Sequence, residues 1–382
     1  MKRSAAVIAV WMMAAGCMMT ACGQSGSTST TAAAAAADEG ETNETEGAAE
    51  AEAVLETRIV KDSDGKEVTI PYQVTKVAPT IGAFAQVTEM LSPGKIAAAS
   101  TAQISDYFKE IFGDYKETNP NDYDSGSVED LIAAGVQVAY GPASAYSEEQ
   151  IEQMEQAGII YVNISQVSDS AEMMESYRLI GSILGQEEVK RAEEFCDYWQ
   201  ASIDDCQSRT RDLSDEERVK VLRLSVNGGA YSTVNRTDIF TSILSEAGGI
   251  NVAADYNPAG SGDRPAGGRN SGLSIDAEQI LAWDPDVIIT LNQQGMDEIL
   301  ADPALAQVKA VKEGRVYNTP QGIYLWGVRS GENAMMTPWL GTILYPELFE
   351  DVDMEQVVID FFKEWYHTDI DEAAAQEILE GK

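Results

Sequence analysis

A two-lobed α/β fold is what this chain of 382 residues predicts: similar lobes with parallel-rich central sheets, joined by a long rigid helix, with a ligand cleft between them. Three observations predict it. The stretch from Glu129 to Tyr140 (EDLIAAGVQVAY) and the stretch from Glu278 to Ile289 (EQILAWDPDVII) repeat one pattern, a short helix entering a buried strand. Around them, apolar strand runs alternate with helical periods, as a parallel sheet requires. Between Asp169 and Leu213 the spacing becomes helical, broken only at Gly185 and then free of glycine and proline. Ligands favour the crevice between domains, so the arrangement points to capture of a small molecule.

The chain opens with an export signal. Lys2 and Arg3 precede an apolar run from Ala5 to Met19 that is too short to span a bilayer. It ends in Met19-Thr20-Ala21-Cys22-Gly23, which resembles a bacterial lipobox with Cys22 as the lipidated residue. Met19 stands where leucine is usual, and Ala14 to Cys17 is a competing site that leaves a shorter apolar region. An ordinary cleaved signal with incidental cysteines is the alternative. Residues 22–56 are Ser, Thr, Ala, Gly and Glu with almost no large apolar side chain, so they read as a disordered tether. Two or three lipid chains would anchor such a protein stably to the outer membrane face.

Folded elements follow in order: an N-terminal α/β lobe over 57–184, an inter-lobe helix over 185–215 and a C-terminal α/β lobe over 216–382. Asp64-Gly65 is a hairpin turn between two short strands, and a strand follows through Val77. Thr80 is expected to cap a helix ending at Leu91, with Gly94 closing it and a strand over Lys95 to Ala99. Ser127 and Asp276 are N-cap residues two places before Glu129 and Glu278, whose carboxylates lie at the positive helix end. Ser147 to Ala157 is a helix, and Ile159 to Val162 a strand. Gln186 to Leu213 is one helix about 40 Å long, reading as a stiff strut; an exposed coiled coil lacks its heptad repeat. The second lobe opens with a strand from Val219 to Val226, a turn at Gly228-Gly229, a helix ending at Gly248-Gly249 and a Gly/Pro-rich loop from Asn257 to Gly272. The strands at Val287 and near Val316 complete it.

Composition narrows the function. A formal net charge of −37 repels nucleic acid and anionic lipid. No other apolar run reaches transmembrane length, so transport would fall to partner proteins. Cys196 and Cys206 lie ten residues apart in one helix, too far for a disulfide, and read as buried or free thiols. His367 is the one histidine, so a cluster of imidazoles for bare zinc, manganese or nickel cannot be assembled, and no protein-held metal or cofactor is expected.

Six further stretches carry a family resemblance: Asp62 to Pro71 before Val77-Ala78-Pro79, Ser127 to Leu131, Ala247 to Val252, the Glu278 to Ile289 repeat, Gly314 to Tyr317, and Tyr345 to Phe349. In this order, behind a lipobox, they resemble the iron-complex and cobalamin type of ABC-transporter substrate-binding proteins, the helical-backbone class of periplasmic binding proteins. The resemblance implies little hinge motion, a shallow cleft for a bulky metal chelate or corrinoid, and delivery to an ABC permease and its ATPase by a membrane-anchored monomer. It also implies a docking glutamate on each lobe. Glu129 matches the first position; Glu246 is shifted by one residue from the second.

An anionic ferric chelate or a planar ring calls for guanidinium groups and aromatic faces. Tyr324, Trp326 and Arg329 follow the strand near Val316, Arg264 and Arg269 lie in the glycine-rich loop, Tyr231 and Arg236 follow the first strand of the second lobe, and Tyr140 and Tyr146 flank the first repeat strand. Lobe packing or surface ion pairing are the other roles open to them. An iron-siderophore is the expected ligand, with cobalamin or haem as alternatives. A glycoside-acting enzyme or an adhesive lipoprotein is the rival of another class. No G-x-S-x-G elbow exists and Asp284 and Asp286 bracket Pro285 as a turn, so catalysis is not expected.

Overall fold

The chain enters the fold through a hairpin, β1 (Thr57–Lys61) and β2 (Glu67–Pro71), paired antiparallel about Asp64-Gly65. The computed structural model describes residues 56–100, 105, 106, 111, 116, 117, 127–165, 169–258 and 272–381. The signal, the tether and Cys22 lie outside them, as do Arg264 and Arg269.

The first half continues with β3 (Val77–Pro79), α1 (Gly82–Leu91), β4 (Ala98–Ala99), β5 (Lys116–Glu117), α2 (Val128–Ala134), β6 (Val138–Gly141), α3 (Glu148–Gln156) and β7 (Ile160–Asn163). Strands β3, β6 and β7 form a parallel sheet in that order, and Ile96 bridges to the free side of β3 at Val77. Helix α1 starts at Gly82, later than Thr80 predicts: Ile81 occupies the N-cap without a side-chain bond, while Thr80 is buried against Gly141. The strand expected over Lys95 to Ala99 is reduced to that bridge and the two-residue β4.

Two helices then pack side by side, α4 (Ser170–Leu184) and α5 (Gln186–Thr210), joined by Gly185 alone. Gly185 adopts φ 156°, ψ −176°, a backbone region essentially restricted to glycine, and a Cβ there would sit 2.4 Å from Glu188 Oε2. The carbonyls at the end of α4 are satisfied by distant cations: Arg58 reaches Ser182 and Ile183, and Lys95 reaches Leu184 at 2.9 Å. Helix α5 has 25 residues and ends at Thr210, three residues before the expected Leu213. It is not a bare strut. Phe195, Cys196, Trp199, Ile203 and Cys206 are buried in a core that runs from Phe84 of the first half to Ile289 and Phe361 of the second. Both thiols are free and buried, and desolvation raises each to about 12.

The second half contains β8 (Lys220–Arg223), β9 (Ser225–Asn227), β10 (Ala230–Thr233), α6 (Ile239–Glu246), β11 (Ile250–Asn251), β12 (Leu273–Ile275), α7 (Ala277–Trp283), β13 (Val287–Thr290), α8 (Gln293–Ala301), α9 (Lys309–Lys312), β14 (Val316–Asn318), α10 (Asn333–Leu344), α11 (Met354–Trp365) and α12 (Glu372–Glu380). Its parallel sheet runs β11-β8-β13-β14. That order, second-first-third-fourth, matches the first half once Ile96 is placed beside β3. The single strand expected from Val219 to Val226 divides: β8 joins this sheet, whereas β9 leaves it to form an antiparallel ribbon with β10 and β12. Gly228 and Gly229, at φ +58° and +79°, make the two-residue turn between β9 and β10.

One buried carboxylate ties the halves together. Glu332, fully buried, accepts from Trp326 Nε1 at 2.7 Å, Ile323 N at 2.9 Å, Gly322 N at 3.2 Å and Tyr366 Oη at 2.8 Å. Gln86 of α1 donates to Tyr366 Oη at 2.6 Å and accepts from Gly331 N at 2.9 Å. Desolvation raises the Glu332 carboxyl to about 7 despite these donors. Glu89, also buried in α1, is raised to about 7 by desolvation, partly offset by the Gly94 amide.

These features set three expectations. Gly185→Ala should cost roughly 2 kcal/mol in chemical denaturation, because alanine disfavours that backbone region; wild-type stability would contradict the reading. Glu332→Ala should cost about 3 kcal/mol or more, since it strands four converging donors. Because Glu89 keeps its proton in the fold to about pH 7 whereas the unfolded chain releases it near 4.5, stability should fall as pH rises through that window. Glu89→Gln, neutral throughout, should make the loss between pH 5 and pH 8 smaller; an unchanged slope would refute the assignment.

Candidate functional site

In open parallel sheets, the carboxyl ends of the strands are where loops diverge and ligands bind. Here they present Thr80, Pro142 and Ser165 in the first half, and Leu224, Thr290 and Thr319 in the second. The loop from Thr319 to Glu332 leaves β14 and meets the first half directly, Ser105 N donating to Ile323 O at 3.0 Å. Glu332 and Asn333 fix its path: Asn333 accepts from Gly327 N at 2.8 Å and its amide donates to Val328 O. Gly327 turns the chain at φ +68°.

The sequence-predicted residues separate into four groups. Tyr324, Trp326 and Arg329 share this loop. Tyr324 and Trp326 face inward, and the Trp326 indole is held by Glu332 rather than standing in an open groove. Arg329 is half-buried, close enough to Tyr177 of α4 to favour its ionised form electrostatically, although burial still drives that phenol well above its usual range. Tyr140 and Tyr146 form a second group, both inside the first half. The Tyr140 hydroxyl pairs with Thr88, and Tyr146 meets Tyr161 edge to face at 5.5 Å between centroids.

Tyr231 and Arg236 lie apart from that loop. Tyr231, on the antiparallel ribbon, donates to the Asp302 carboxylate and is raised to about 12, by desolvation first and then by that carboxylate. Arg236 is exposed and paired with Asp255. The buried arginine of this region is one that sequence patterning passed over: Arg223, at the end of β8, binds Asp238 at 3.0 Å and Gly327 O at 3.1 Å and lies 5.4 Å from the Phe240 ring centroid. A charged residue at the end of an apolar strand was the available signal. The fourth group is the pair of docking candidates. Glu129 is exposed in the first turn of α2. Glu246 is partly buried at the end of α6, accepting from Ser170 Oγ at 3.0 Å and Ser242 Oγ at 3.2 Å, and desolvation raises its carboxyl.

Among the described residues, no group of three or more His, Cys, Asp or Glu side chains is arranged to hold a metal ion. Nor is any helix there long and apolar enough to cross a membrane. What the strand ends offer, among the described residues, is a set of diverging loops of the kind that receives ligands in open parallel sheets.

Comparison with known proteins agrees with that reading. The chain is 24% identical over 349 residues to the molybdate-binding protein MolA of Haemophilus influenzae, covering 83% of this chain and 93% of MolA. It is 23% identical over 297 residues to YvrC of Bacillus subtilis, an uncharacterized ABC transporter substrate-binding lipoprotein, covering 76% of this chain and 87% of YvrC. Among solved structures, a periplasmic solute-binding protein from Veillonella parvula superposes with TM-score 0.68 at 20% identity, over 85% of this chain and 97% of that one. MolA bound to molybdate also gives TM-score 0.68, at 21% identity, over 82% of this chain and 99% of that one. Residues 119–322, more than half of the 382, match the periplasmic binding protein family. By this match the chain belongs to the periplasmic binding protein family, and it is a binding protein rather than an enzyme.

Proposed function

We propose that this protein is the extracytoplasmic, lipid-anchored substrate-binding component of an ABC importer, and that its cargo is an anionic metal complex, an iron-siderophore or an oxometallate. The observation that carries the reading is the Thr319 to Glu332 loop, which brings the half-buried Arg329 to the junction of the two halves. A guanidinium with reduced solvation attracts an anion strongly, and the fixed loop means that little ordering cost remains at binding. In a chain of net charge −37, an anionic cargo would require such a local cation. Molybdate, named for MolA, is an anion of this class. A flat corrinoid or haem is favoured less, because Tyr140, Tyr146 and Trp326, the rings expected to stack on it, are buried within the protein. The lipobox at Cys22 supports the membrane anchor, with permease and ATPase as partners.

Thermal-shift and calorimetric titration of the purified protein against ferric catecholates, ferric hydroxamates, molybdate, haem and cyanocobalamin tests the cargo class. Binding is expected from the ferric catecholates or from molybdate, the anionic metal complexes of the panel, and Arg329→Ala should weaken it by at least about thirtyfold, the scale of losing a desolvated charge pair. Response only to the ferric hydroxamates, whose iron core is neutral, to haem or to cyanocobalamin, or to nothing in the panel, would overturn the proposal.

A further inference from the structure

At Arg223 the two halves of the molecule part company. The pairings of Val77 with Val138 and of Val221 with Val287 make β3 and β8 equivalent strands, and they set Arg223 opposite Ile289 where the first half sets Pro79 opposite Tyr140. The repeated ladder therefore does not itself require a charge at this strand end. Burying a guanidinium is unfavourable unless its donors are met, and a buried ion pair can often be replaced by apolar side chains of similar volume without loss of stability. At 6% exposure, Arg223 is not explained as a surface ion pair either.

Its side chain is held from three directions. Nη1 donates to Asp238 Oδ1 at 3.0 Å, and the guanidinium lies 5.4 Å from the Phe240 ring centroid. Asp238 is itself fixed, because it caps α6 and its Oδ1 also accepts from Phe240 N at 3.0 Å. The strand end is pinned as well: Thr233 Oγ1 of β10 donates to Arg223 O at 2.7 Å. From this mounting, Nη1 makes a second bond, to Gly327 O at 3.1 Å in the Thr319 to Glu332 loop.

Gly327 is the turn two residues before Arg329. Its N–H donates to Asn333 Oδ1 at 2.8 Å while its carbonyl accepts from Arg223, and the Asn333 amide holds the next carbonyl, that of Val328. A Cβ on Gly327 would lie 3.0 Å from Met336 Cε and Sδ and 3.5 Å from Phe240 Cδ2, so the turn is seated against both α10 and α6. The approach to Arg329 is thus clamped on one side by the start of α10 and on the other by the end of β8. Asp238 balances the charge of Arg223, so what Arg223 adds at this point is placement more than field.

We infer that Arg223 is a positioning residue of the cargo site: through Gly327 O it sets where Arg329 stands, and so governs affinity for an anionic guest that it does not itself touch. A guanidinium held in place before binding loses less freedom on capture. This rests on the cargo class proposed above.

The test is a double-mutant cycle in calorimetric titrations with molybdate and with a ferric catecholate, using the full-length wild-type protein, Arg223→Gln, Arg329→Ala and the double variant. Thermal melts report folding. If Arg223→Gln does not fold, Arg223→Met combined with Asp238→Asn replaces it, since that pair removes both charges and asparagine still caps the helix. Replacing Arg223 should weaken binding about tenfold when Arg329 is present, the scale of one hydrogen bond to a charged group, and less than about twofold when Arg329 is already alanine. A role confined to general stability would move both backgrounds by the same factor, and that result, or unchanged affinity with Arg329 present, would overturn the positioning role alone. Binding of neither anion by the wild-type protein, or wild-type affinity in Arg329→Ala, would overturn the cargo reading and the positioning role with it.

Discussion

A carboxylate with no access to water organises the junction of this molecule. Ionised or not, the Glu332 side chain must be met by hydrogen-bonding groups, because a buried polar group left unmatched costs on the order of 1–3 kcal/mol. Those groups come from Gly322, Ile323, Trp326 and Tyr366, and through Tyr366 and Ser330 the set extends to Gln86 in the first half. The set runs from the loop itself to Tyr366 and on to Gln86, so it is compatible with one mutual placement of α1, the Thr319 to Glu332 loop and the end of α11. Apolar packing around α5 surrounds this network with the aromatic rings of Phe195, Trp199, Phe361 and Trp365. Packing supplies most of the cohesion; the polar set supplies specificity of arrangement.

Within that frame the two halves solve one problem twice. Each orders its strands second-first-third-fourth and introduces the third strand by a seven-residue helix. The repeat tolerates different chemistry where geometry is kept. Asp284 takes the left-handed position that Gly135 holds in the first half, at φ 43°, with its carboxylate receiving Lys309 N at 2.8 Å. Aspartate is among the few residues with a side chain that tolerate this region.

Much of the frame was legible in the sequence because local physics dictated it. Ser127 and Asp276 each cap the helix they precede, and Gly65 and Gly228-Gly229 turn their hairpins. The break between Arg223 and Ser225 was not legible: Leu224 continues the apolar run, and only the pairing of β9 with β10 reveals that the chain has changed sheets. The long helix was visible, but not its burial, which depends on the rings of Phe361 and Trp365, contributed from far along the chain. At the candidate site, strand order puts Tyr324, Trp326 and Arg329 on the loop after β14, but not the inward turn of Tyr324 and Trp326, the indole of the latter answering a carboxylate six residues away. Gln86 and Tyr366 escaped notice because a long-range polar network has no sequence period.

The antiparallel ribbon of β9, β10 and β12 is present in the second half alone, inserted at the carboxyl end of β8 where its counterpart β3 passes almost directly into a helix. It breaks the internal twofold relation at the carboxyl ends of the strands, and it does so without altering the ladder beneath. A scaffold built this way separates what is shared from what is particular: an appendage at that edge can be exchanged while the paired core stays as it is.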